Sequence, residues 1–378
     1  MANYNYTILR VWGIPIRINV SLLVFLPILA WLIGSGEQIA VYSALITSLT
    51  PATVEPGALS GPTDRWLVGV ATAVSLFASV TFHELGHAWA AMRYDIEVES
   101  ITLWLLGGLA SLKQMPDQWL QEFWIAIAGP ASSILLAVGC AGALFVIPGS
   151  ATLAVYLVGF LAIMNIVLAV FNMLPAFPMD GGRVLRALLA RNRSYVSATR
   201  IAARIGVVFA FGFAIVGVLV FSPILLLLAF FVYVAATNES RSVVITELLS
   251  GRTVADLIGD QKPIPTDLAV VAAFERLFAA RRTNLPVVDD DGEIVGVVTA
   301  ATLQEVPPEE FRTTTVGEIA TTDLPHLDGA ATAAEGLYDL LGTSGEVAIV
   351  EWEGRRVGLI SRSDFTAALD IRRETGPF

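Results

Sequence analysis

The stretch SVTFHELGHAWAAM, residues 79–92, closes an apolar run that begins near Trp66 and is long enough to cross a bilayer. Within it stand His83, Glu84 and His87, side chains that are costly at membrane depth and usually functional where they occur there. They form the pattern H-E-x-x-H. On a helix, positions i and i+4 share a face, so both imidazoles can converge on one cation. Glu84, next to the first imidazole, can then take a proton from a water at that cation. Two imidazoles and a carboxylate suit zinc, with a fourth position left open. Five residues alone are a weak signal, but the chain holds three histidines and two of them are here. The competing reading has them capping a helix end near the lipid headgroups.

The rest of the chain agrees with a membrane setting. Of its 378 residues 55% are hydrophobic, and the mean hydropathy is +0.69, too apolar for a soluble protein. Apolar runs at 18–34, 66–92, 123–147 and 152–174 each read as one span. The 34 uncharged residues from Ile205 to Asn238 exceed one crossing, and Ser222-Pro223 is the natural break. About six spans result. Arg10 and Arg17 precede the first, with no small-residue cleavage site, so it reads as an uncleaved span. Arg93 and Lys113 follow the second, and Arg183, Arg186, Arg191 and Arg193 follow the fourth. Segment 35–65 has only Arg65 against three acidic residues. The positive-inside bias then places both termini in the cytoplasm, as expected of a multi-pass cell-membrane protein. For segment 35–65 a lid, a substrate filter and a disordered loop remain equal readings.

Between the second and third spans, IEVESITLWLLGGLASL is β-branched and aromatic, with Gly107-Gly108 as a bend or bulge. It reads as strand, paired with TILRVWGIPIRINV at the N-terminus, or as an ordinary loop. Strand at membrane depth requires burial in protein or a water-lined cavity.

The net charge of −11 is unevenly spread. Up to Ser240 eleven basic residues balance eleven acidic ones, and from Arg241 onward twelve face twenty-three. Lacking clustered Lys and Arg, this acidic half excludes nucleic acid as a partner. Lys113 and Lys262 are the only lysines, as in a protein of a high-salt cytoplasm or of an arginine-biased genome. Cys140 is the only cysteine, which rules out an intramolecular disulfide or a cysteine-based zinc site, and it reads as a small core residue. The acidic half also repeats itself. TVADLI from Thr253 returns as TVGEIA from Thr315, and LPVVDDDGEIVGVVTAATL from Leu285 returns as VAIVEWEGRRVGLISRSDF from Val347. The offset is 62 residues at each landmark, a duplication of a soluble α/β module.

Zinc needs a third protein ligand. Between Glu122 and Glu239 the only acidic residue is Asp180, in FNMLPAFPMDGGRVLRALLA, where Pro175 and Pro178 break the preceding helix and free the backbone to turn. Asp180 is thus either that ligand or the cap of the helix that follows. HELGH in one span with NMLPAFPMDGG some ninety residues later resembles the site-2 protease family of intramembrane zinc metalloproteases, over roughly residues 8–238. The resemblance implies His83, His87 and Asp180 as zinc ligands and Glu84 as general base. It also implies a substrate-side role for Asn172, whose amide could position a carbonyl or oxyanion; from the residue alone, a hydrogen bond to a neighbouring helix is an equal reading. LLGGLASL resembles the family's re-entrant strand, which receives substrate in extended form.

The C-terminal repeat resembles a pair of cystathionine-β-synthase (CBS) domains. Such pairs hold nucleotide ribose with a Ser/Thr shortly before an Asp. Ser361 and Asp364 fit an adenine-nucleotide site, whereas the first copy has Thr302 where the Asp should stand. A structural role, or association of two chains through the pair, is an equal reading. The expected fold is therefore a polytopic α-helical membrane protein of about six spans with a small re-entrant β element, followed by a soluble α/β CBS pair. The expected domains are 1–240 (protease), 241–310 and 311–378 (first and second CBS domains). The expected function is zinc-dependent hydrolysis of a peptide bond in or near a transmembrane segment of a membrane protein. Two rivals remain: a CBS-regulated transporter or channel, which would scatter ionisable residues along its spans, and an inactive zinc-binding scaffold, which an intact Glu84 disfavours.

Overall fold

The computed structural model describes residues 5–375 apart from 60, 106, 114, 115, 117, 260, 281, 282 and 344. The chain divides into two compact units, 2–241 and 242–378.

The first unit opens with strands β1 (Asn5–Val11) and β2 (Ile14–Asn19). Trp12 and Gly13 between them both have positive φ, 53° and 85°, the conformation of a two-residue hairpin turn. Helices α1 (Val20–Ile33) and α2 (Gly36–Leu49) follow, bent by 72° at their junction. The bend has local causes. Ser35 caps α2 by accepting from the Gln38 amide. Gly34 sits so close to the backbone carbonyl of Arg65 that a side chain there would collide with it. Segment 35–65, undecided in sequence, thus holds α2 and a short 3-10 turn at Pro56–Leu59.

Next come α3 (Pro62–Met92), β3 (Val98–Trp104), β4 (Gly107–Leu112), α4 (Trp119–Ala143), α5 (Thr152–Asn172), α6 (Asp180–Ala190), α7 (Tyr195–Leu219) and α8 (Pro223–Leu248). Among the described residues, α3, α4, α5, α7 and α8 are each long and apolar enough to span, and the bent pair α1–α2 makes six if counted as one. The break at Ser222-Pro223 stands where expected: Ser222 caps α8, and Pro223 occupies the first helical position. Helix α8 runs past the apolar stretch to Leu248, however, and α7 starts earlier than the apolar pattern indicates.

The four strands form one sheet in the order β1-β2-β3-β4. The N-terminal segment does pair with the strand between spans, with β2 parallel to β3 through Ile16, Arg17 and Ile18 against Ile101, Thr102 and Leu103. Inward residues Ile14, Ile16, Ile101 and Leu103 pack against Phe77, Ala88 and Ala91 of α3, so the sheet lies on the helix that carries the histidines. β4 folds back antiparallel on β3 and leaves its outer edge facing away from the sheet.

The second unit contains β5 (Ile264–Pro265), α9 (Val270–Ala280), β6 (Asn284–Val288), β7 (Ile294–Thr299), α10 (Ala300–Gln304), α11 (Val316–Ile319), β8 (His326–Asp328), α12 (Ala333–Gly342), β9 (Val347–Trp352), β10 (Arg355–Ser361) and α13 (Arg362–Thr375). Its two three-stranded sheets repeat one register: Ile264 pairs with Val287, and 62 residues on His326 pairs with Ile349. The leading segments are exchanged between copies. The Val254 amide donates to the Ala331 carbonyl and the Val316 amide to the Leu268 carbonyl. Val254 is thereby buried with Leu327, Ile360 and Phe365, and Val316 with Val270, Leu285 and Val298. Each apolar core draws on both copies.

Candidate active site

His83 and His87 lie one turn apart on the buried face of α3, 3% and 5% exposed, their rings edge to face. Each is anchored through Nδ1 by α4. His87 Nδ1 donates to the Ile125 carbonyl at 2.7 Å, and His83 Nδ1 is 2.9 Å from Ser133 Oγ. A carbonyl only accepts, so the Nδ1 proton of His87 is fixed and its Nε2 presents a lone pair. Gly129 lies between these two anchors, and a β-carbon there would strike His87 Nε2. Ile125, Gly129 and Ser133 are four residues apart and share one face of α4.

Asp180 reaches the same point from across the bundle. The chain leaves α5 through Met173–Met179, with Phe177–Pro178 in cis, and enters α6 at Asp180. Gly181 and Gly182 press against the backbone of Met173, Leu174, Ala176 and Phe177, an approach closed to any residue with a β-carbon. Asp180 is the first residue of α6 rather than its cap, and its carboxylate turns inward. Oδ2 lies 3.1 Å from Nε2 of both His83 and His87, and the two Nε2 atoms are 3.2 Å apart.

This triangle fits a zinc ion. Each corner is an acceptor atom once the Nδ1 positions carry the protons, and acceptors this close repel unless a cation joins them. Bonds of about 2.0–2.1 Å in tetrahedral geometry need donor atoms roughly 3.3 Å apart, close to the separations present. Among the described residues these three side chains form the one such cluster.

Glu84 points to the neighbouring side, half-buried. Gly108 of β4 lies against it: a β-carbon at 108 would stand 2.5 Å from Glu84 Cγ and 2.9 Å from Oε1. Asn172, the last residue of α5, places Nδ2 3.5 Å from His83 Nε2. Of the five residues singled out in the membrane half, His83, His87, Asp180 and Asn172 thus meet at one place, and Glu84 follows His83 on the same helix with Gly108 against it. Sequence reasoning missed Ile125, Gly129, Ser133 and the fit of Gly108 against Glu84. Their only signal is the i, i+4, i+8 spacing of the first three in an apolar run.

In the C-terminal unit, Asp364 Oδ2 accepts from the amide and hydroxyl of Ser361, at 2.8 and 2.6 Å, at the start of α13. In the first copy the Thr302 hydroxyl takes that place, accepting from the Thr299 amide at 2.9 Å.

Residues 71–213 match Peptidase family M50, and residues 260–308 match the CBS domain. Across 388 aligned positions the chain is 33% identical to a Mycobacterium tuberculosis protein named as zinc metalloprotease Rip3, covering 97% of this chain and 93% of that one. The chain belongs to peptidase family M50. The M50 match contains the histidine motif, Asn172 and Asp180. This M50 peptidase is also 28% identical to a zinc metalloprotease of Methanocaldococcus jannaschii, with 98% and 97% of the two chains covered. A solved site-2 protease from the same organism is 30% identical over 63% of this chain and 96% of its own, with a TM-score of 0.42. By its M50 relatives and its apolar helices the protein is a multi-pass membrane zinc metalloprotease with a CBS region. The transporter reading gives way to it.

Proposed function

We propose that His83, His87 and Asp180 hold the zinc of this intramembrane protease, with Glu84 as general base and Asn172 beside the substrate carbonyl. The convergence of one carboxylate oxygen and two imidazole nitrogens at 3.1–3.2 Å carries the reading. Zinc bound there supplies Lewis-acid polarisation and lowers the pKa of water toward about 7. The residues do the rest. The Ile125 carbonyl and Ser133 fix the imidazole orientations, as outer partners of metal-binding histidines do. Glu84 accepts a proton from the attacking water and returns it to the leaving amine. The Asn172 amide donates to the oxygen that gains charge.

The substrate is a membrane protein cut in or near a transmembrane segment. Helical peptide bonds are shielded, so that segment must unwind before attack. The outer edge of β4 offers an extended chain the hydrogen bonds it loses, next to Glu84. Both termini lie in the cytoplasm, where domains 241–310 and 311–378 form the CBS pair. That pair holds an adenine nucleotide at Ser361 and Asp364, and the Thr302 side leaves it with one good site. It also joins two chains.

The test uses the full chain in liposomes with a single-span substrate. Glu84→Gln is expected to keep zinc and lose cleavage, while Asp180→Asn and His87→Ala lose zinc. Cleavage by Glu84→Gln would remove the general-base assignment, and full zinc in Asp180→Asn would remove the ligand set. Titration calorimetry with ATP and AMP, on wild type and Asp364→Ala, tests the nucleotide site; equal heats in both would sink it.

A further inference from the structure

Four helices meet at Arg186, six residues after Asp180 on α6 and 3% exposed. Its Nε donates to Glu122 Oε1 at 2.6 Å, with Nη2 2.5 Å from the same oxygen, and Nη1 donates to Glu239 Oε1 at 2.6 Å. The guanidinium carbon also stands 4.9 and 4.8 Å from the ring centres of Phe177 and Tyr195. Nothing in the reaction scheme uses this group.

A buried ion cluster contributes little stability over apolar packing of the same volume, because desolvation offsets the attraction. What it fixes is register. Glu122 lies on α4 three residues before Ile125, whose carbonyl orients His87, so α4 is the helix that anchors both histidines. α6 is the helix that delivers Asp180. Arg186 ties the two together. Glu239 brings in α8, where Ala236 is buried with Phe177, three residues before Asp180. Helix α8 therefore touches the Asp180 segment on both sides.

We propose that Arg186 is the positioning residue that keeps Asp180 in register with His83 and His87, and that Glu239 is the contact through which displacement of α8 alters that register. The inference rests on the reading of those three residues as zinc ligands.

The experiment measures zinc retention against a graded chelator, beside thermal unfolding, on the full-length protein. The variants are Arg186→Met, Arg186→Met with Glu122→Met, Glu239→Ala, and Asp180→Asn as control. Asp180→Asn is expected to lose zinc. Arg186→Met should weaken retention by about 10-fold or more, as loss of outer-shell support does. The double methionine variant, in which only the part-exposed Glu239 loses its partner, should regain much of the thermal stability but not zinc retention. It also carries the test if Arg186→Met alone does not fold. Glu239→Ala should fold normally and retain zinc less well than wild type. Wild-type retention in the double variant, with zinc lost in Asp180→Asn, would reduce Arg186 to a packing element. Wild-type retention in Glu239→Ala would remove the α8 route. Full retention in Asp180→Asn would instead bring down the ligand reading, and the positioning role with it.

Discussion

Gly129→Ala should disable the metal centre while leaving the helix that carries it at least as stable as before. A β-carbon at 129 would collide with His87 Nε2 and stand 2.5 Å from Cε1 and 2.7 Å from Cδ2, against the 3.4 Å at which ordinary contact begins. The ring must retreat by about 1.2 Å, since it is the softer partner: α4 is packed against α3, α5 and α6. Retreat pulls Nδ1 from the Ile125 carbonyl, now 2.7 Å away, and moves Nε2 out of the triangle with His83 and Asp180. Misplacement on this scale costs about 10²-fold in rate, and weakened outer support about 10–100-fold in metal affinity. Helix propensity works the other way, because Ala in a helix interior is favoured over Gly by about 0.5–1 kcal/mol. Gly139→Ala and Gly142→Ala, in the same helix with open space at the β-carbon, are matched controls. Zinc content, chelator competition and cleavage of a single-span substrate would be read on all three. Wild-type zinc and turnover in Gly129→Ala would refute the claim that α4 shapes the histidine site.

Gly108→Ala should keep zinc but lower cleavage by about 10²-fold, the lower bound for loss of a general base, because its methyl group would displace Glu84 rather than a ligand. Ser133→Ala should weaken zinc by about 10-fold or more in chelator competition, since His83 Nδ1 loses its partner. In the C-terminal unit, the Thr253 amide holds the Asp256 carboxyl below its ordinary pKa, and the Thr315 hydroxyl and amide do the same for Glu318. Depressed carboxyls stabilise above their unfolded pKa of about 4 and cease to do so as pH falls through the folded value. The melting difference between wild type and Asp256→Ala/Glu318→Ala should therefore be present near pH 6 and shrink as the pH falls below about 4; a gap unchanged down to the acid end would contradict it.

Much of this architecture is legible from the sequence because the bilayer imposes it. Span length, the charge-free run broken at Ser222-Pro223 and the 62-residue repeat are all set by composition and spacing. Helix α2 was not readable. Glu37, Gln38 and Ser43 interrupt its hydrophobicity, and the bend before it depends on contact between Gly34 and the Arg65 backbone, thirty-one positions away. The exchange of leading segments between repeats also leaves no trace in the pattern, since Val254 and Val316 are equally apolar whichever core they enter.

The same division runs through the site. The residues proposed to do chemistry were visible because an ionisable group in an apolar run is rarely there for packing: His83, Glu84, His87 and Asp180 stand out by their cost alone. Residues that aim them were invisible because they are cheap. A backbone carbonyl at Ile125, a missing side chain at Gly129 and a hydroxyl at Ser133 cost little in a membrane helix and look like packing. Arg186 carries a second role that the sequence hides. Its charge is conspicuous and reads as one of the basic residues that orient the chain in the bilayer, and it is also buried against two carboxylates. A costly group in such a protein thus carries two separable messages, one about topology and one about the site, and only burial tells them apart. For Arg186, burial among α4, α6 and α8 makes the charge a tie between helices, the premise of the positioning role proposed for it.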